Sequence, residues 1–251
     1  SWDGYFDLWR PFFTLLHKHW PDCPFPLYLG TSTAKYDDPT VTSIPVGSGY
    51  DWSKCTRRQL ESLETPYVLM MLEDFFLQDD VDNQGILNCL KAAEELKAGM
   101  VRLMPMPPPN TRVDKYPYLG ICNPHTFYRM DTQAAIWKVD TLLSLLVDGE
   151  TAWEFEINGN ERSNDFTEGF YSTWKPFLTY KKHVVVQGKW FYDEAKRFAA
   201  MDIGCDFNCR GTLSFSQTLW WRTRDAVHKV IPSPRRRIKK LISNMKIKEA
   251  K

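Results

Sequence analysis

Residues 67–72, Tyr-Val-Leu-Met-Met-Leu, form an unbroken apolar run that ends on two adjacent carboxylates, Glu73 and Asp74. Six residues suit a strand. Apolar character without alternation marks a strand covered on both faces, as in parallel sheets flanked by helices. The surrounding segments agree. Leu8, Phe12, Leu15, Leu16 and His19 recur at helical spacing, so 7–19 reads as a helix. Asp82 stands before a second helical stretch that carries Ile86, Leu87, Leu90 and Leu96 on one face. Segments 26–32, 41–47, 100–105 and 183–190 read as strands, and 53–63, 132–146, 194–200 and 213–230 as helices. Strands alternating with helices predict an α/β sandwich with a mostly parallel central sheet and 67–72 at its centre.

In open α/β sheets, ligands bind beyond the carboxyl ends of the strands. Glu73 and Asp74 occupy that position, and two hard oxygen donors there suit Mg²⁺ or Mn²⁺ against a diphosphate. The same pair also suits a solvated loop after a strand. Other chemistries lack their marks. The chain has no GxGxxG, no GxxxxGK[ST] and no GxSxG, so dinucleotide, P-loop and serine-hydrolase readings have no support. Its six cysteines, at 23, 55, 89, 122, 205 and 209, contain no CxxC pair, which argues against zinc and suits a reducing cytoplasm.

Two further stretches carry candidate chemistry. Glu154 and Glu156 lie among aromatics in Ala152-Trp-Glu-Phe-Glu156. A partly desolvated Glu is a fit general base for an acceptor hydroxyl, because desolvation raises its pKa. If the stretch is helical, the two cannot share a face, and Glu154 is the first choice; an amphipathic segment with both Glu exposed is the competing reading. Lys189, after an apolar strand and Gly188, is placed to neutralise a diphosphate leaving group. Arg162 remains an unassigned phosphate or acceptor contact.

The stretch from Leu72 to Asp82, LEDFFLQDDVD, resembles the strand-end acidic motif of GT-A glycosyltransferases. The blocks DGYFDLW, PFF, WPDCPFPLYLGT, YVLMMLEDFF, AWEFE and VVQGKW resemble, in order, bacterial glycosyltransferases of lipopolysaccharide and capsule gene clusters, across residues 3 to 192. The resemblance implies a GT-A-like Rossmann-type sandwich that transfers a sugar from a nucleotide-sugar donor to a saccharide or lipid-linked acceptor. It implies that Asp3 and Tyr5 meet the base and ribose, and that Asp74 binds a divalent metal. Glu73 then touches metal-bound water or the ribose, and His183 completes the metal site. It also implies a first strand preceding Ser1. The pair here is Glu-Asp followed by two phenylalanines rather than Asp-x-Asp, so metal dependence is an open expectation. A non-catalytic carbohydrate-binding or scaffold module and a sugar nucleotidyltransferase are the alternatives; the latter needs a Gly-rich, basic triphosphate loop that the N-terminal region lacks.

Charge is uneven. From Lys229 to Lys251 there are nine Lys or Arg and one Glu, a net of +8, which leaves −7 for the rest of a chain whose total is +1. Ile238, Leu241, Ile242 and Met245 form a stripe within 235–248, with basic residues around it. Such a helix suits an anionic membrane surface, with Trp220 and Trp221 as interfacial anchors. Aromatics are not interleaved with the charges, which argues against nucleic acid. The expected organisation is a catalytic domain over 1–210 and a helical extension with a basic tail over 211–251, peripheral on the inner face of the cytoplasmic membrane.

Overall fold

The computed structural model describes residues 1–181 and 183–230, with side chains to Arg224. The expected tail helix over 235–248 lies outside the described residues. After a 3₁₀ turn at Asp3–Tyr5, the elements run α1 (Phe6–His19), β1 (Leu27–Thr31), β2 (Val41–Pro45), α2 (Trp52–Glu61), β3 (Tyr67–Met70), β4 (Phe76–Leu77) and α3 (Asn83–Leu96). Next come β5 (Met100–Arg102), β6 (Thr111–Arg112), β7 (Leu119–Ile121), β8 (Ala135–Lys138), α4 (Val139–Leu145) and the one-turn helices α5 (Ala152–Glu154) and α6 (Asn160–Arg162). The chain continues through β9 (Phe170–Thr173), β10 (Tyr180–Lys181), β11 (Val185–Val186), β12 (Lys189–Trp190), α7 (Tyr192–Ala199) and α8 (Phe215–Val230).

The fold is mixed α/β, and its main sheet corrects the expected topology. Six strands run in the order β3-β8-β5-β9-β7-β6. Only β5 and β9 pair in parallel; the other four pairings are antiparallel. Two of those four involve β8, and the other two lie at the far end, where β7 pairs with β9 and β6. Both β3 and β5 run against β8, so they point the same way, as a β3-α3-β5 unit should, but β8 is inserted between them. Residues 135–138, expected inside a helix, form that strand, with Ala135, Ile136 and Trp137 buried one after another between β3 and β5 as in a strand covered on both faces. The helix starts only at Val139.

The apolar run at 67–72 is a strand only to Met70, and it is an edge strand rather than a central one. All four of its residues are half-buried. Strands β1 and β2 form a separate parallel pair. The late strand over 183–190 is a hairpin, β11 with β12, turned at Gln187 and Gly188, both in the left-handed region. Two-residue hairpin turns need that conformation, which Gly supplies without strain.

One helix cap holds: Asp82 caps α3 by accepting from Gly85 N at 2.8 Å. Ser53, which opens the expected helix over 53–63, lies inside α2, and Asp51 is the cap, accepting from Lys54 N at 2.9 Å. α1 buries Leu8, Phe12, Leu15 and Leu16 in a core shared with β4, α3 and α7. A second cluster, around Trp137, Phe155 and Phe170, lies under α4 and the 152–162 segment.

Candidate functional site

The directions of the strands define one edge. β3 ends where antiparallel β8 begins, and β5 ends there as well, since Arg102 pairs with Ala135. Leaving β3, the backbone turns at Glu73 and Asp74, with Phe75 N donating to Leu72 O at 3.1 Å. The next two residues fix this corner. Phe75 stacks on Tyr180 at 4.7 Å, and the fully buried Phe76 meets Phe198 edge-on at 5.0 Å. β4 then pairs with β10, which delivers His183 to the same corner. The phenylalanines that depart from the Asp-x-Asp pattern are therefore the residues that anchor the turn.

Asp74 and His183, 109 positions apart in sequence, come together: His183 Nδ1 lies 3.7 Å from Asp74 Oδ2, with Asp74 mostly covered and His183 half-exposed. The imidazole also meets Phe75 edge-on at 5.8 Å. Tyr5 joins them. Burial pushes its hydroxyl above its ordinary pKa; the Arg210 guanidinium, 4.5 Å over its ring, opposes this, while Asp74, Glu73 and Asp7 reinforce it. Tyr5 thus lies within electrostatic reach of both carboxylates.

Arg210 and Asp7 escaped the sequence reading. Arg210 pairs with the buried Asp7 through Nε at 2.7 Å and through Nη2, and it also donates to Gly4 O at 3.0 Å. The only sequence signal was an acid in the first turn of an otherwise apolar helix face.

Other expected residues have different employment. Asp3 accepts from Ser32 N, Thr33 N, Thr33 Oγ1 and Ala34 N at 2.7 to 3.0 Å, so it anchors the loop after β1. Burial acts to raise its pKa, but these bonds together hold it below the usual carboxylate range. Lys189 is exposed on β12 and makes no ion pair among the described residues. Arg162 clasps Glu150 with both terminal nitrogens, at 2.8 and 2.6 Å, and donates to Leu145 O.

The two glutamates of 152–156 separate as a helix requires. Glu154 is exposed and closes a capping box with Thr151. Hydrogen bonds from Thr151 hold its pKa below the ordinary value, the opposite of the expected desolvated base. Glu156 turns inward. Its Oε1 accepts from Thr132 N at 2.9 Å and Thr132 Oγ1 at 2.6 Å. Thr132 leads into β8, so Glu156 stands at the edge where β3 ends. Next to Thr132, Gln133 Oε1 accepts from Tyr180 Oη at 2.6 Å, and Tyr180 is the ring stacked on Phe75. A short chain of contacts therefore joins Glu156 to the acidic corner.

Among the described residues, no group of three or more His, Cys, Asp or Glu is placed to hold a metal ion. Asp74 and His183 form a pair of suitable donors, an oxygen and an imidazole. No described helix is long and apolar enough to cross a membrane. In α8, Trp220 is exposed and Trp221 lies under the Arg224 guanidinium at 3.7 Å. Comparison of the chain with protein-family models and with curated proteins gives no match, so the reading of the site rests on its geometry.

Proposed function

We propose that this chain is a glycosyltransferase of the GT-A type, moving a hexosyl or related sugar from a nucleotide-sugar donor to a saccharide or lipid-linked acceptor. The products suited to the sequence resemblance are bacterial surface polysaccharides, lipopolysaccharide or capsule. One observation carries the proposal: Asp74, just past the end of β3, and His183, 109 positions later in the chain, come within 3.7 Å of each other at the edge where β3 ends. Aromatic, carboxylate and imidazole groups at such an edge are what a base, a ribose and a diphosphate require.

In this reading Tyr5 stacks on the base and Glu73 accepts from the ribose hydroxyls. Asp74 and His183 face the diphosphate. Their 3.7 Å separation suits one shared divalent ion, which would neutralise charge on the leaving group. Glu156, rather than Glu154, is the base. Thr132 holds Oε1, which leaves Oε2 to take the proton as the acceptor oxygen bonds to the anomeric carbon and the bond to the diphosphate breaks. The chemistry is then inverting. The basic stretch at 235–248 holds the enzyme on the anionic inner face of the cytoplasmic membrane.

A screen of nucleotide sugars by thermal shift, with and without Mn²⁺, tests the reading. One donor class should raise the melting temperature, and Asp74→Asn should remove the rise. No stabilisation by any nucleotide sugar would leave a saccharide-binding module as the better account.

A further inference from the structure

Gln133 stands in the middle of the contacts that join Glu156 to the acidic corner, and it is held at both its backbone and its side chain. Its backbone N donates to Asp131 Oδ1 at 3.1 Å. The same oxygen accepts from Nε of the fully buried Arg102 at 3.1 Å. Arg102 also donates to Pro107 O and to Tyr128 O, each at 2.7 Å. A buried ion pair with its remaining donors bonded is a rigid support, because breaking it strands a charge. The side chain is fixed by a hydrogen count. Tyr180 is almost fully buried, and burial pushes its hydroxyl above the ordinary pKa, so it keeps its proton. Its oxygen already accepts from Ala134 N at 3.2 Å. Its one hydrogen goes to Gln133 Oε1, 2.6 Å away. Turning the amide over would set Nε2 against the hydroxyl and leave that buried hydrogen unpaired, which is costly. Nε2 therefore faces away from Tyr180 with two N–H donors. Gln133 is only half-buried, and Nε2 has no hydrogen-bond partner among the described residues.

We propose that Gln133 reads the sugar being transferred, its Nε2 donating to a hydroxyl oxygen of the donor's sugar ring. This rests on the reading of the corner as a nucleotide-sugar site and adds the contact to the sugar itself. In that reading the diphosphate lies at Asp74 and His183, and the base is Glu156. The anomeric carbon must pass between those two ends, so the sugar covers the residues that link them. Gln133 is such a link on both sides. Its neighbour Thr132 holds Glu156 Oε1, and its partner Tyr180 stacks on Phe75, whose ring meets His183 edge-on. Two donors held in a fixed direction suit the lone pairs of a hydroxylated ring. A site built to bond a hydroxyl also rejects the analogue that lacks it, because the donor is then left unpaired. A Gln133 that only supported Tyr180 would need Oε1 alone. Tyr180 acts through Gln133 as a positioning residue, since its hydrogen sets the direction of the amide.

The test compares each nucleoside diphosphate with its own sugar ester: uridine diphosphate with its glucose and galactose esters, and guanosine diphosphate with its mannose ester. Dissociation constants are measured in the presence of Mn²⁺ for the parent chain, Gln133→Met and Tyr180→Phe. Met keeps the length of the side chain but has no N–H. Gln133→Met is expected to weaken the nucleotide sugar by about fivefold, the loss of one hydrogen bond, while the free diphosphate changes by less than about twofold. Tyr180→Phe keeps the ring on Phe75 and frees the amide to turn, so it should weaken the sugar ester in the same direction by a smaller factor. That second variant decides the matter if Gln133→Met does not fold. Equal weakening of the diphosphate and its sugar ester would make Gln133 a support for the corner and overturn the inference, leaving the nucleotide site in place. Unchanged affinity for the sugar ester in both variants would overturn it as well. Failure of the parent chain to bind either diphosphate would remove the site reading, and the inference with it.

Discussion

At the scale of single residues, the sharpest result is the division of labour between Glu154 and Glu156. Two positions apart on a helical turn, they face opposite ways: one bonds to its own cap, and the other to Thr132 at the sheet edge. Glu156→Gln should lower kcat by about 10² to 10⁴ while leaving donor affinity near normal, since a general base acts only in the transition state. Glu154→Gln should cost less than about tenfold, roughly 1.4 kcal/mol in barrier. The reverse order in steady-state kinetics would return the base to Glu154. A separate prediction concerns acid. The Arg162 guanidinium clasping Glu150 holds that carboxyl below its ordinary pKa, against burial and with help from Asn158. A lowered folded-state value means that the clasp contributes fully above the unfolded value near 4.5 and is lost as pH falls through the folded one. Glu150→Gln should lower stability at neutral pH but lessen its further loss below about pH 4.5. Parallel acid limbs for the two proteins, followed by denaturant melts at each pH, would contradict this.

At the scale of elements, caps and stripes were the most legible features, because both are local. Asp82 before α3 was readable from its position alone, and the contact with Gly85 N confirms the cap. Asp82→Ala should therefore cost about 1 kcal/mol, a fall of about 2–4 °C in a chain of this size. A calorimetric scan showing no change would mean that the cap contributes nothing. Strand partners were not legible, because pairing is a long-range choice. The run at 135–138 carries a continuous apolar signal that fits a buried helix or a buried strand equally, and only its place between β3 and β5 decides. That insertion supplies two of the four antiparallel pairings, and β7, between β9 and β6, supplies the other two. The expected central strand at 67–72 sits at the edge for a related reason: nothing in the described chain pairs with its outer side. The acidic corner was legible as a strand end followed by carboxylates. The ion pair of Arg210 with Asp7 was not, since those partners are 203 residues apart.

At the scale of the whole molecule, charge and chemistry are separated. The body carries −7 and the last 23 residues +8, while the convergent site lies at the β3 edge of the body. Deleting residues after Pro234 should therefore abolish sedimentation with anionic vesicles and leave donor binding intact. Salt-resistant vesicle binding that survives the deletion would shift the anchor to the exposed face of α8 at Phe215, Leu219 and Trp220. The central claim is that the corner of Glu73, Asp74, His183 and Tyr5 holds a nucleoside diphosphate. Titration calorimetry of uridine and guanosine diphosphates against the intact chain, with and without Mn²⁺, measures it without requiring the acceptor. The account predicts that one of them binds, that Mn²⁺ tightens binding, and that Asp74→Asn and His183→Ala each weaken it by about tenfold or more, the scale of one charged contact. Equal affinity in the parent and both variants would contradict it.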